Sequence, residues 1–238
     1  MTTSGTTSFN ATSDQVVTKA LQHCGVINTS ETVSTADFTL CRTALNLILK
    51  NLPIETWLLW CYVDLTIPLV SGTSTYTIGP SGTVSGIRPL RIAKAWLRDT
   101  NNNDIPLTQL SRSDYDMLTP KATPGIPCNY YYDPQLVNGN FIIWPVINLT
   151  GYTIYVSVQR TMQDISLSDG TQTFDLPQEW LLPLGWILAD EISMDYCNNL
   201  QKVGLIQQRA EMWRTKMADY SREEVSLYFS PSFQGVGN

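Results

Sequence analysis

The sequence predicts an α+β fold: a helical bundle built from N- and C-terminal helices, with an antiparallel β-sandwich or small barrel inserted between them. Three observations carry this. Both ends of the chain place apolar residues at helical spacing, the middle alternates with a period of two between frequent Gly and Pro turns, and residues 174–197 form the most apolar helical stretch of all. The expected division is a helical domain from residues 1–60 and 174–224, an inserted β domain from 61–173, and an extended tail from 225–238.

Residues 1–12 are rich in Thr and Ser. Ser13 is the expected N-cap of a first helix carrying Val17, Ala20, Leu21 and Cys24 on one face, with Gly25 as its stop. A second helix should start at Ser34 or Thr35, present Phe38, Cys41, Leu45, Ile48 and Leu52, and end at Pro53. Trp57, Leu58, Leu59 and Trp60 then form an apolar joint.

From Tyr62 the period changes. Val63, Leu65, Ile67 and Leu69 alternate with less buried positions, and residues 90–98 read as another strand. The run Asn101-Asn102-Asn103-Asp104 is a turn into Ile105-Pro106-Leu107. A short helix is expected over 111–118, capped by Ser111 or Ser113. Residues 130–132 and 141–144 read as a hairpin whose Asn138-Gly139 favours left-handed turn geometry. Tyr152, Ile154, Val156 and Val158 give the last strand.

In the central helical stretch, Pro177 and Glu179 suit a first turn, and Trp180, Leu184, Ile187, Leu188 and Ile192 follow at helical spacing. Leu181, Leu182 and Trp186 fall on other faces, so this helix should be covered on several sides, by the N-terminal helices and by a neighbouring subunit. Trp180, Leu181, Trp186 and Trp213 are the candidates for subunit packing. A final helix over 200–220 aligns Ile206, Ala210, Trp213, Met217 and Tyr220, and would span roughly 30 Å. The tail beyond it holds Tyr228, Phe229, Pro231 and Phe233. It is too short for a core of its own, which marks these residues as candidates for docking on a neighbour or partner.

Charged residues are only 15% of the chain and hydrophobic ones 43%, a composition that suits a surface partly covered in an assembly. The net charge of −6 argues against a dedicated nucleic-acid surface. The 5 cysteines are dispersed without a CxxC, as expected of reduced, packed thiols. The polar first ten residues give no secretion signal, no apolar run is long enough for a membrane span, and the sequons at Asn28 and Asn148 are read as chance. The single histidine, His23, suits the negative end of the first helix. One histidine and scattered cysteines offer no zinc ligand set, and no nucleotide-binding or nucleophile-elbow motif occurs; no metal or cofactor is expected. Asp190, Glu191 and Asp195 are the one carboxylate cluster that acid–base chemistry could use, with a solvated helix edge as the simpler account. Tyr130-Tyr131-Tyr132 could stack on sugars, with strand packing as the simpler account.

Several pieces, in one order, resemble the podovirus head-to-tail adaptor family, also called tail accessory factors. They are Asn51-Leu52-Pro53 with the Trp57/Trp60 joint; Trp96-Leu97-Arg98-Asp99; Ile105-Pro106-Leu107 before Ser113-Asp114-Tyr115; Pro124-Gly125-Ile126-Pro127; Tyr130-Tyr131-Tyr132-Asp133-Pro134; Phe141-Ile142-Ile143-Trp144-Pro145; and Leu176-Pro177-Gln178-Glu179-Trp180 ahead of a helical C-terminus. The resemblance implies a non-enzymatic virion protein of the capsid–tail junction, made in the bacterial host cytoplasm, with no membrane association. It implies a homo-oligomeric ring, typically twelve-fold, docked on the portal protein. Such a ring extends the DNA channel without binding DNA specifically, helps retain packaged DNA and presents a platform for downstream tail or nozzle proteins. The competing readings are a phage cell-wall (peptidoglycan) hydrolase using the carboxylates, and a carbohydrate-binding β-sandwich using the tyrosines.

Overall fold

The computed structural model describes residues 3–28, 30–55 and 58–221. Helix α1 (Ser13–Cys24) is capped by Thr12, one residue earlier than expected: its hydroxyl accepts the Gln15 N–H while the Gln15 side chain accepts the Thr12 N–H. Gly25 closes the helix at φ +77°, a left-handed position that costs glycine nothing. Helix α2 (Thr35–Glu55) starts where the Ser34 hydroxyl accepts the Asp37 N–H at 3.1 Å. Pro53 lies inside its last turn rather than beyond it, and the helix ends two residues later.

A 3-10 turn (Leu59–Cys61) leads into the β region. Its strands are β1 (Tyr62–Pro68), β2 (Thr75–Gly79), β3 (Val84–Ser85), β4 (Arg91–Arg98), β5 (Asp104–Pro106), β6 (Thr108–Gln109), β7 (Asn129–Pro134), β8 (Gly139–Trp144) and β9 (Thr153–Gln159), with the short helix α3 (Arg112–Met117) between β6 and β7. One sheet has the order β1-β9-β4-β5 and the other β3-β2-β8-β7-β6. Their facing residues share one core: Ile67, Leu97, Ile154 and Val156 from the first, Ile78, Tyr130, Phe141 and Ile143 from the second. This is a sandwich, and it is antiparallel except where β2–β3 and β6–β7 pair in parallel over two residues each. In β1 the alternation holds for Ile67 and Leu69, but Val63 lies 36% exposed at the strand's start.

One local expectation needs correction. The β7–β8 hairpin forms, but neither Asn138 nor Gly139 adopts positive φ. Gly139 is required for another reason: a Cβ there would fall 2.1 Å from the Tyr132 hydroxyl and 2.5 Å from its ring, and that hydroxyl donates to the Pro89 carbonyl at 2.7 Å. Asn138 instead accepts the Ser81 N–H at 3.2 Å, tying the hairpin to the β2–β3 turn.

After β9 the chain returns to the helices. Met162 and Ile165 join the helical core. Three polar side chains one turn apart on α2 hold this segment. Arg42 donates to the Leu167 carbonyl at 2.8 Å, Asn46 exchanges two bonds with Ile165 at 2.8 and 2.9 Å, and Lys50 donates to the Met162 carbonyl at 2.8 Å. Arg42 is buried and also pairs with Asp14 of α1. A 3-10 turn (Gln178–Trp180) precedes α4 (Leu181–Tyr196), and α5 (Leu200–Tyr220) follows, capped by the Asn199 side chain. Helix α4 is central, packing against α1, α2 and α5. Leu184, Ile187, Leu188 and Ile192 are buried along it, each worth about 1.5–3 kcal/mol relative to exposure. Tyr220, expected on the packed face of α5, is exposed at its end.

Candidate functional site

The four residues assigned to subunit packing fall into two groups. Trp180 is 2% exposed and sits edge-on to Trp60, ring centroids 5.3 Å apart; with Leu181 it belongs to the subunit's own helical core. Trp186 and Trp213 are half-buried at the edge of that core, with the Lys216 ammonium 5.0 Å above the Trp213 ring. Tyr228, Phe229, Pro231 and Phe233, like Trp57 of the joint, lie outside the described residues.

The helical surface carries an apolar feature that the sequence reading passed over. Leu40, Leu47 and Ile54 of α2 are 62%, 64% and 59% exposed and stand seven residues apart, so they form a stripe along one face. Helix α2 thus has three distinct edges: the buried stripe of Cys41, Leu45, Ile48 and Leu52, the polar ridge of Arg42, Asn46 and Lys50, and this uncovered one. Their heptad spacing was the available signal, outcompeted by the stronger buried stripe. Beside Leu47 a groove of about 390 Å³ opens between α2, α4 and α5, with Glu55, Glu191 and Arg214 on its walls. A second groove, about 620 Å³, lies where α5 crosses the end of α1, lined by His23, Trp186, Lys202, Leu205, Arg209 and Met212.

In that second groove His23 stacks on Trp186. Burial, aided by Lys19 and Lys202, holds the His23 pKa below the usual imidazole value, so the ring is neutral near pH 7. The expected partnership of a charged His23 with the helix end is therefore replaced. The cation at that end is Lys202 of α5, whose ammonium lies within 2.2 Å of where a Cβ on Gly25 would stand.

The carboxylate cluster does not act as one group. Asp190 is half-buried and accepts from Arg214 at 2.9 Å, pinning α4 to α5. Glu191 and Asp195 are exposed on the edge of α4. Among the described residues no three His, Cys, Asp or Glu side chains converge as a metal ligand set. No helix among the described residues is long and apolar enough to cross a membrane. The tyrosine run is also divided. Tyr130 and Tyr132 are buried in the sandwich, and Tyr131 is covered by Tyr115, their rings stacked at 5.1 Å. That arrangement is strand packing.

No curated protein matches the chain. A family model described as SU10 adaptor protein matches residues 24–230, which takes in α2, the whole sandwich, α4 and α5. The head-to-tail adaptor resemblance carried by the ordered motifs and this match agree, and the chain belongs to the SU10 adaptor protein family, a family of phage head-to-tail adaptors.

Proposed function

We propose that the protein is a connector subunit: copies of it form a ring, twelve-fold by analogy with head-to-tail adaptors, that docks on the portal, continues the DNA channel, helps retain packaged DNA and carries the next tail components. The observation that carries this reading is the family match over residues 24–230. The net charge of −6 supports a channel along which phosphates slide rather than bind. The helical unit supports subunit packing through the Leu40, Leu47 and Ile54 stripe and the half-buried Trp186 and Trp213, while Trp180 and Leu181 act by shaping α4 from within. The inserted sandwich is the part assigned to the tail side. Tyr228, Phe229, Pro231 and Phe233 are assigned to docking on a neighbour or the portal. Synthesis in the host cytoplasm and residence at the capsid–tail junction follow from the same reading.

The test is co-assembly with the portal protein of the same phage, followed by native mass measurement and electron microscopy. Portal-bound rings support the proposal; subunits that stay monomeric with the portal present overturn it. Leu47→Asp should leave the monomer folded and weaken ring formation, since Leu47 is exposed in the subunit. Deleting residues 226–238 should weaken portal binding without unfolding the isolated subunit.

A further inference from the structure

Cys24 ends α1 and Cys197 follows the last turn of α4. They are 173 residues apart in sequence, yet the Cys197 thiol donates to the Cys24 carbonyl at 3.3 Å. Cys24 is 4% exposed, its own thiol donating to the Ala189 carbonyl at 3.5 Å, whereas Cys197 is half-buried and reachable from solvent. Burial and the Cys197 contact push the Cys24 thiol up to about 12, which keeps it protonated. Cys41, the third thiol of this region, is wholly buried. The other two differ in setting: Cys61 is buried at the foot of β1, and Cys128 is exposed on the sandwich.

We propose that Cys24 and Cys197 are an oxidation site, converted by a low-molecular-weight disulfide into an intramolecular disulfide that ties the end of α1 to the joint between α4 and α5. The accessible Cys197 thiolate attacks one sulfur of the small disulfide, forming a mixed disulfide and expelling one small thiolate. Cys24 then attacks the Cys197 sulfur as its proton passes to the departing second small thiolate, so the attacking thiol is deprotonated only as the new bond forms. Two electrons pass from the cysteine pair to the small disulfide, which leaves as two thiols. The contact of the Cys197 thiol with the Cys24 backbone at 3.3 Å already sets the two residues side by side, as a disulfide requires. On the connector reading, the subunit folds where thiols are kept reduced and serves in a particle released to an oxidising medium, so closure would follow assembly. The chemistry itself stands apart from that reading and is tested on the isolated subunit.

The experiment uses the full chain with Cys128→Ser, which removes the exposed competing thiol. It is incubated with oxidised glutathione, blocked by alkylation and mapped by non-reducing peptide mass analysis. The expected result is a Cys24–Cys197 linked peptide, loss of two titratable thiols, and a melting midpoint raised by roughly 10 °C, because the bond closes a very long loop. Cys197→Ser and, separately, Cys24→Ser should abolish both the link and the shift. Cys24 and Cys197 recovered singly alkylated, or as separate glutathione adducts, would overturn the proposal, as would a Cys24–Cys41 link. Cys197→Ser keeps the test valid if Cys24→Ser fails to fold, since Cys197 lies outside the fully buried core.

Discussion

His23 and Trp186 stack face to face, their ring centroids 3.8 Å apart and their planes 16° from parallel. The contact joins the last turn of α1 to α4 and forms one wall of the larger groove. It also buries part of an imidazole beside Lys19 and Lys202, and this sets a pH response.

The His23 pKa in the folded chain lies below the ordinary imidazole value of 6.5 that the unfolded chain retains. Between the two values the unfolded chain binds the proton and the folded chain does not, so stability rises with pH through this range. It is fully present above 6.5 and declines as pH falls below it. Because the chain has one histidine, a proton NMR titration reads it without assignment. The expected midpoint is below 6.5; a midpoint at or above it would contradict the burial argument. His23→Phe should keep the stack and flatten the stability profile between about pH 7 and 5.

Arg160 and Asp175 form a two-point pair where the chain leaves the sandwich for the helices, with one of its bonds at 2.9 Å. The Arg160 guanidinium holds the Asp175 carboxyl below its usual range. The stability it confers is present above the unfolded value of about 3.8 and is lost as pH falls through the lower folded value. Asp175→Asn should cost about 1–3 kcal/mol at pH 7 and reduce the steepness of acid unfolding. Urea melts at pH 7 and pH 3 would show this; an equal loss at both would mean the charge plays no part.

Gly139→Ala should destabilise the subunit by about 1–3 kcal/mol, because the new methyl meets the buried Tyr132 ring rather than a mobile chain end. Gly139→Ala combined with Tyr132→Phe should remain destabilised, since the ring atoms themselves lie at 2.5 Å. Recovery of full stability in the double variant would show that the hydroxyl alone sets the requirement.

The acidic cluster on α4 should separate under substitution. Asp190→Ala removes the 2.9 Å partner of Arg214, leaving it only the longer pairing with Glu211 at 3.9 Å, and should cost about 1–3 kcal/mol. Glu191→Ala and Asp195→Ala remove exposed charges and should stay within about 0.5 kcal/mol of the parent. Thermal melts of the three variants decide it, and equal effects at all three would argue for a functional unit there.

The helices were legible because their burial is one-sided: the four- and seven-residue spacing of Ile206, Ala210 and Met217 reports a packed face, and those residues are buried. The strands of the sandwich were legible for the matching reason, with Ile154, Val156 and Val158 alternating into its core. What escaped was any feature set by a distant partner. Thr12 and Ser13 both offer a hydroxyl, and Gln15 chooses the cap. Gly139 looks like a turn glycine until Tyr132 is seen against it. Trp180 has the size of an interface anchor, but the spacing that exposes a face cannot say whether the same chain or another covers it. For that same reason the Leu40, Leu47 and Ile54 stripe lay hidden behind the stronger buried one on α2.

The sandwich is joined to the helices through paired neighbours: Tyr62 opposes Gln159 across β1 and β9, Arg160 N–H donates to the Cys61 carbonyl at 2.8 Å, and the Gln159 amide donates to the Pro53 carbonyl at 2.9 Å. Outgoing and returning chains therefore pass through a single doorway, about 5 Å wide as for any adjacent strands. An insertion with its two feet together imposes no span on its host. Strands and loops can be added, trimmed or exchanged beyond that doorway while the helical core keeps the same end-to-end distance to close. The fold thereby separates what must stay constant to build the bundle from what is free to change in length and sequence.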